Sequence, residues 1–127
     1  MRNAHGRVPE TCLIEMIFPE RANHYGTLFG GEALSLMSKA AFIAASRRAL
    51  KSVVMARIEQ IQFDHPVRVG QLLELRAEVI RVGRTSMTVL VDATAETITT
   101  GARTAVMRGS FEMVAVDEAG RPSPIAA

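Results

Sequence analysis

The chain has 127 residues, of which 48% are hydrophobic and 22% are charged, and this balance is typical of one globular domain. Its net charge of +2 rests on 13 scattered arginines and two lysines, and the lack of a basic block argues against nucleic-acid binding. The longest apolar run, from Ala40 to Ala45, is too short to insert across a membrane, and the N-terminus has no apolar core resembling a signal peptide. We therefore expect a cytoplasmic protein in which the single cysteine, Cys12, is a small buried apolar side chain.

One strand and one long helix are predicted in the first half of the chain. The apolar run from Leu13 to Phe18, ended by Pro19, predicts the strand. The helix is predicted from Gly30 to about Leu50, because apolar and small residues recur there at spacings of three and four. Its apolar stripe consists of Leu34, Met37, Ala41 and Ala44 or Ala45, and its last turn is predicted to hold Arg47, Arg48 and Lys51.

Four strands are predicted after the helix, where the apolar residues begin to alternate with polar ones. They cover Val53 to Phe63, Leu73 to Val79, Met87 to Ala95, and Ala105 to Ala115. Burial of one face is typical of an antiparallel sheet, which the single helix would cover. We expect one α+β domain over residues 1–127, with flexible or extended ends at 1–10 and 118–127, although a cystatin-like arrangement has the same element content. Uncovered sheet edges would favour dimerisation.

The segment before the helix carries the strongest functional signal. Asn23 lies shortly before Gly30 and Gly31, which open the helix. The N-terminus of a helix offers free backbone N–H groups, and together with an asparagine amide these groups can polarise an electrophilic carbonyl. Both features also have structural explanations, because asparagine shapes local turns and glycine pairs mark tight turns and close packing.

Three segments together resemble the acyl-CoA thioesterases with a hotdog fold. Residues 19–38 contain the pattern Asn-x-x-Gly-x-x-Phe-Gly-Gly, and residues 53–70 contain Phe-x-x-Pro-Val-x-Val-Gly. Residues 82–89 begin with Val-Gly-Arg-Thr-Ser-Met, and residues 114–122 match the usual exit from the last strand. The resemblance extends over about residues 16–124 because these motifs occur in the family's order and spacing.

This resemblance implies a hotdog fold, in which an antiparallel sheet of about five strands wraps one long helix. It also implies hydrolysis of an acyl-CoA to a free acid and coenzyme A, with no metal or cofactor beyond the coenzyme A of the substrate. Members of the family dimerise through their sheets, many form tetramers or hexamers, and the thioester lies between subunits near the helix N-terminus. Asn23 would orient the reactants, and Gly30 and Gly31 would hold the oxyanion. The residues expected to contact coenzyme A are Arg57, Gly83, Arg84, Thr85 and Ser86.

Ser38 occupies the position at which the family has its catalytic aspartate. A neutral hydroxyl does not take a proton from water, and a serine nucleophile needs an adjacent base. Glu32, His24 and His65 are therefore alternative bases, and Ser38 is either a direct participant or a small helix residue without a chemical role. Met55 also departs from the family pattern, because a threonine is common there.

These departures leave three functions open. The first is an acyl-CoA thioesterase that is weakened by the loss of the aspartate. The second is an acyl-CoA-binding or regulatory protein with little turnover. The third is a subunit of a hetero-oligomer in which another chain supplies the acid.

Overall fold

The computed structural model describes residues 10–126, which form one helix and one five-stranded antiparallel sheet. The strands are β1 (Thr11–Met16), β2 (Val53–Phe63), β3 (Leu72–Val82), β4 (Ser86–Thr97) and β5 (Ala102–Ala115), and the helix is α1 (Gly30–Ala49). Their order across the sheet is β1-β3-β4-β5-β2, and every neighbouring pair is antiparallel. The predicted α+β fold is confirmed. The first strand lies two residues earlier than predicted, because Pro19 opens a short 3-10 turn and Phe18 caps that turn.

The helix α1 packs on the sheet through small side chains. Its buried residues are Ala33, Leu36, Met37, Ala40, Ala41, Ala44, Ala45 and Ala49. Leu50 ends the helix in a left-handed conformation, with a φ of 56°. The prediction that Lys51 belongs to the last turn is therefore wrong; this residue lies past the cap, where its Nζ donates to the carbonyl of Pro124 at 2.6 Å. Within residues 10–126, no helix is long and apolar enough to cross a membrane.

The inner face of the sheet follows the predicted alternation in β3 and β4. Its fully buried side chains include Leu73, Leu75, Met87, Val89 and Val91. The prediction fails at Ala105, which is exposed, whereas Val106 is buried. The reason is a shift in register between β4 and β5, where Ala93 pairs with Met107 but Thr94 pairs with Ala105. An extra residue on one strand of a pair moves the residues that follow it to the opposite face.

The strand β2 forms one edge of the sheet and is exposed along most of its length. It pairs with β5 alone, and only Val53 is buried among its 11 residues. The ladder shifts register twice, and Gln60 adopts a φ of 52° within the second shift. The large apolar side chains exposed along β2 are Val54, Met55, Ile58 and Phe63. A long apolar edge of this kind is usually covered by another chain or element.

The exposure of Cys12 differs from its prediction as a buried residue. β1 begins at Thr11, which is buried on the inner face, so the next side chain points to the opposite face. Cys12 is exposed there, and its Sγ lies 3.7 Å from Oε2 of Glu74.

Candidate active site

The first turn of α1 presents unpaired backbone N–H groups to solvent. The first helical bond runs from the N–H of Ala33 to the carbonyl of Phe29 at 2.9 Å, and no side chain caps this end. Among the described residues, no acceptor is bonded to the N–H groups of Gly30 and Gly31. Both glycines are exposed. These amides lie at the positive end of a 20-residue helix, which is a suitable place for a developing oxyanion.

The space around the two glycines differs. A Cβ atom on Gly30 would meet nothing within 4 Å, and neither glycine has a left-handed φ. Neither backbone conformation nor packing therefore requires glycine at position 30, but close approach of a ligand to its amide would. At Gly31 an added Cβ would lie 3.0 Å from Cε2 of Phe29, so this glycine lets the aromatic ring fold against the helix start.

Asn23 is fixed by bonds to its own loop. Its Oδ1 accepts the N–H of Tyr25 at 2.9 Å, and the N–H and hydroxyl of Thr27 at 3.2 and 3.1 Å. These bonds form the local turn that asparagine typically shapes. The three donors identify the bound atom as oxygen, so the amide nitrogen Nδ2 points away from them. Within residues 10–126 Nδ2 has no acceptor, so none of these residues keeps it from donating to a ligand.

Ser38 is bonded inside the helix. Its Oγ donates to the carbonyl of Leu34, four residues earlier, at 2.8 Å, and the side chain is half-buried. The bond uses the only proton that the hydroxyl can donate. Among the described residues no base contacts Ser38, so the hydroxyl is not activated as a nucleophile.

The other candidate bases occupy different surroundings. Glu32, in the first turn of α1, lies 3.9 Å from Nη1 of Arg21, and Nη2 of the same arginine lies 3.6 Å from Glu15. His24 is exposed, with its ring centroid 4.0 Å from that of Tyr25, and His65 is exposed in the connection after β2. The distance of Glu32 from Ser38 is set by the helix, because six residues correspond to a rise of about 9 Å.

Four of the five residues expected to contact coenzyme A, all except Arg57, lie at the turn between β3 and β4. The N–H of Gly83 donates to the carbonyl of Ser86 at 2.7 Å and closes the turn. The carbonyl of Thr85 accepts the N–H of Ala115, and the carbonyl of Arg84 accepts the N–H of Ile125, both at 2.8 Å. The backbone of the turn is therefore held on two sides. The side chain of Arg84 is exposed and makes no hydrogen bond within the described part of the chain.

The two groups of candidate residues lie at opposite ends of α1. The turn of residues 83–86, called the Gly83 turn, accepts a hydrogen bond from the N–H of Ile125. The carbonyl of the neighbouring Pro124 accepts one from Lys51, which lies directly after the helix. Gly30 and Gly31 open the other end, 20 residues away, and a helix of this length measures about 30 Å. Within one protomer the structure does not bring the helix amides and the turn together.

Arg57 and Met55 lie on the exposed edge strand β2. The guanidinium of Arg57 is 66% exposed and lies 3.6 Å from Glu59, so it belongs to a weak surface ion pair. Met55 is 43% exposed and pairs with Met113 in the register of β2 and β5.

A polar network next to the turn was not identified from the sequence. On the outer face of the sheet, Arg81 bonds to Ser86, Thr88 and Glu112, which lie on β4 and β5. The sequence offers one signal for this network, which is that Arg81 directly precedes the Val-Gly-Arg-Thr-Ser-Met motif.

Comparison with known proteins identifies the family. Residues 25–102 match the Thioesterase superfamily. An uncharacterized acyl-CoA thioester hydrolase of Zymomonas mobilis is 34% identical over 116 residues, which cover 91% of this chain and 78% of that protein. An acyl-CoA hydrolase from Agrobacterium tumefaciens has a TM-score of 0.86 at 44% identity, over 91% of this chain and 45% of that one. An apo-hexameric acyl-CoA thioesterase has a TM-score of 0.89 at 38% identity, over 91% of this chain and 74% of that one.

A third solved structure, an acyl-CoA hydrolase from Staphylococcus aureus in complex with butyryl coenzyme A and coenzyme A, has a TM-score of 0.87 at 26% identity, over 93% of this chain and 72% of that one. Alanine mutants of an aspartate, a threonine and an asparagine of that enzyme have also been solved. The chain spans 63% of the length of its relatives from Helicobacter pylori and Bacillus subtilis. The predicted hotdog fold and thioesterase class are confirmed, and the chain belongs to the hotdog-fold acyl-CoA thioesterases of the Thioesterase superfamily.

Proposed function

We propose that this chain hydrolyses acyl-CoA thioesters to free acids and coenzyme A, with a turnover lowered by the serine at position 38. The observation that carries this proposal is the pair of N–H groups at Gly30 and Gly31, which have no acceptor among residues 10–126 and lie close in the chain to the amide nitrogen of Asn23. Such donors stabilise the negative charge that develops on the carbonyl oxygen of a thioester under attack.

In this reaction water adds to the thioester carbonyl while its proton passes to a base. The helix amides hold the resulting oxyanion, and Nδ2 of Asn23 orients the carbonyl or the attacking water. Collapse of the tetrahedral intermediate breaks the carbon–sulfur bond, and the coenzyme A thiolate takes up a proton. A positioned general base typically contributes 10²–10⁴-fold to such a step, and Ser38 has no basicity to offer.

The spacing of Asn23, Ser38 and Met55 supports the assignment of the missing base. In the Staphylococcus aureus enzyme the asparagine, aspartate and threonine chosen for replacement are separated by 15 and 17 residues. Asn23, Ser38 and Met55 have the same two separations. By this spacing Ser38 corresponds to the aspartate and Met55 to the threonine, so this chain has a neutral hydroxyl in place of the carboxylate and a thioether in place of the hydroxyl.

The distance between the candidate groups supports a site shared between two copies of the chain. One protomer places the helix amides and the Gly83 turn about 30 Å apart, whereas the exposed edge of β2 offers a surface for a second copy. We infer a homodimer joined through β2, in which the second copy supplies Arg84, Thr85 and Ser86 for coenzyme A. The hexamer of the related thioesterase supports further assembly of such dimers. The cytoplasmic location and the lack of a required cofactor stay predictions from the sequence.

The test is release of free thiol from acyl-CoAs of short, medium and long chain. We expect slow turnover by the native chain, an increase of about 100-fold or more in Ser38→Asp, and no increase in Ser38→Ala. The alanine variant is the matched control, because it also removes the bond to Leu34 but adds no base. Equal rates in all three proteins would place the base elsewhere, and Glu32→Gln would then identify or eliminate Glu32.

A binding or regulatory role is the second candidate function. The bond between Ser38 and Leu34 favours it, because this bond leaves the helix without a free acid–base group at that position. Micromolar acyl-CoA affinity by calorimetry without thiol release, together with turnover in Ser38→Asp, would establish this role in place of hydrolysis.

A further inference from the structure

We propose that Arg81, oriented by Glu112, is a phosphate-binding residue of the coenzyme A site at the Gly83 turn. The inference deepens the proposed function and rests on its assignment of coenzyme A to that turn. It adds two residues that lie outside the Val-Gly-Arg-Thr-Ser-Met motif.

The guanidinium of Arg81 is held on two of its three nitrogens. Nε donates to Oγ1 of Thr88 at 3.0 Å, and Nη2 donates to Oε2 of Glu112 at 3.1 Å and to Oγ of Ser86 at 3.3 Å. These partners come from β4 and β5, so the arginine bridges three strands. The hydroxyl of Thr88 also bonds to the Glu112 carboxylate.

The third nitrogen, Nη1, lies over the turn and is unpaired among the described residues. A Cβ atom added to Gly83 would be 3.0 Å from Nη1, and the φ of Gly83 is not in the left-handed region. The glycine therefore leaves room for the guanidinium to lie against the turn, and its backbone conformation does not itself call for glycine. Because the Arg81 side chain is 52% exposed, a ligand at the turn can reach Nη1.

Glu112 is suited to orient this arginine before a ligand arrives. Its side chain is only 13% exposed, and its two oxygens bond to Arg81 and Thr88. A guanidinium fixed in this way loses less side-chain entropy when it binds an anion.

Arg81 has fewer carboxylate partners than two other arginines on the outer face of the sheet. Arg103 binds both Glu74 and Glu96, and Arg76 binds both Glu74 and Asp92, so each is neutralised by two carboxylates. Arg81 has one carboxylate partner among the described residues and keeps a free nitrogen.

The chemistry of the turn points to a phosphate group as the ligand. Arg81 and Arg84 lie close to Gly83 in the sequence, and the exposed guanidinium of Arg84, like Nη1 of Arg81, has no hydrogen-bond partner within residues 10–126. A guanidinium group suits the planar, bidentate recognition of phosphate oxygens. Coenzyme A carries phosphates, whereas the pantetheine portion of the same molecule has none, and this difference allows a direct test.

The experiment compares two substrates with the same acyl group, acyl-CoA and the acyl thioester of pantetheine. For Arg81→Gln we expect KM for acyl-CoA to rise about tenfold with kcat unchanged, as for loss of one charge-assisted bond. We expect kcat/KM for the pantetheine thioester to stay unchanged, because this substrate makes no phosphate contact. Glu112→Gln should raise KM for acyl-CoA by a smaller factor, and Arg103→Gln, which loses an ion-paired arginine from the same face, should change neither substrate.

Calorimetry with coenzyme A and with pantetheine separates this inference from the proposed function. If the chain shows no turnover but Arg81→Gln binds coenzyme A about tenfold more weakly, hydrolysis is refuted and the phosphate site is retained. Normal turnover with unchanged coenzyme A affinity in Arg81→Gln would refute the phosphate site and retain hydrolysis. If Arg81→Gln lowers kcat/KM equally for acyl-CoA and for the pantetheine thioester, Arg81 has a structural role and the inference is overturned. If Arg81→Gln does not fold, Arg81→Lys is used, because it keeps the positive charge without the planar guanidinium. We expect this variant also to raise KM for acyl-CoA and to leave kcat/KM for the pantetheine thioester unchanged.

Discussion

Glu74 shows how a single carboxylate sets the chemistry of its neighbours. It accepts hydrogen bonds from Arg103 and Arg76, and its second oxygen lies 3.7 Å from Sγ of Cys12. The hydrogen bond from Arg103 is the main reason that the pKa of Glu74 is lowered, so the carboxylate stays charged. Desolvation raises the pKa of the Cys12 thiol, and the negative charge of Glu74 raises it further. Cys12 is therefore exposed but protonated near neutral pH, and thiols in this form are poor nucleophiles.

We predict that Glu74→Gln shifts the alkylation of Cys12 to lower pH. Removing the negative charge stabilises the thiolate, so a larger fraction of the thiol is ionised at each pH. The rate of reaction with iodoacetamide, followed from pH 7 to 10, measures this shift. Glu96→Gln is the matched control, because Glu96 binds Arg103 but is not among the groups that shift the Cys12 pKa. An unchanged profile in Glu74→Gln, or equal shifts in both variants, would contradict the electrostatic effect of Glu74 on Cys12.

Within the sheet, the irregular part of β2 is matched to a glycine on β5. The register of this pair shifts between Glu59 and Gln62, and Ile61 lies within the shift, half-buried against the core. An added Cβ on Gly109 would lie 2.1 Å from Cδ1 of Ile61 and 3.1 Å from Cε of Met37. Gly109 therefore makes room for the side chain that the irregular strand turns toward the helix.

We predict that Gly109→Ala lowers the free energy of unfolding by about 1–3 kcal/mol, as overpacking usually does. Ile61→Val removes Cδ1, the atom that the new methyl group would contact most closely, and alone costs about 0.5–1.5 kcal/mol. In the double variant the two losses of unfolding free energy should not add, because valine lacks the Cδ1 atom that the new methyl group would contact. Urea unfolding at one fixed protein concentration measures the cycle. Strictly additive losses would show that Ile61 is not the residue that requires glycine at position 109.

The same part of the sheet shows what the sequence could and could not predict. The alternation in β3 and β4 and the spacing in α1 follow directly from burial on one face, so these elements were predicted with small errors at their ends. The burial of Val106 in place of Ala105 depends on the register of β5 against β4, which alternation along one strand does not contain. For the same reason the contact of Arg81 with Glu112 was not predicted, since it requires β3, β4 and β5 to be neighbours. The candidate residues Asn23, Gly30 and Gly31 could be proposed from the sequence because they lie together in one segment of the chain.

At the scale of the whole molecule, the two groups of candidate site residues lie far apart within one protomer. The helix amides lie at one end of α1 and the Gly83 turn lies at the other, about 30 Å away. The sheet ends at β2 on one side and β1 on the other, and both edges are unpaired within the described residues. The β2 edge is the longer, with 11 residues against six. A second copy joined along β2 would extend the sheet and could bring its own turn toward the first helix.

We predict that Ile58→Lys converts the proposed dimer to a monomer and abolishes the proposed acyl-CoA hydrolysis. Ile58 is an exposed apolar residue on β2, and a lysine on an edge strand opposes pairing with another strand. Ile14→Lys is the matched control, because Ile14 is 60% exposed on β1, the opposite edge of the same sheet. Sedimentation equilibrium gives the mass of each variant, and thiol release and coenzyme A calorimetry give its function. Dissociation by Ile14→Lys and not by Ile58→Lys would assign the interface to β1. A monomeric Ile58→Lys variant with full turnover would show that one protomer holds the complete site. The proposal that two copies share the site would then be wrong.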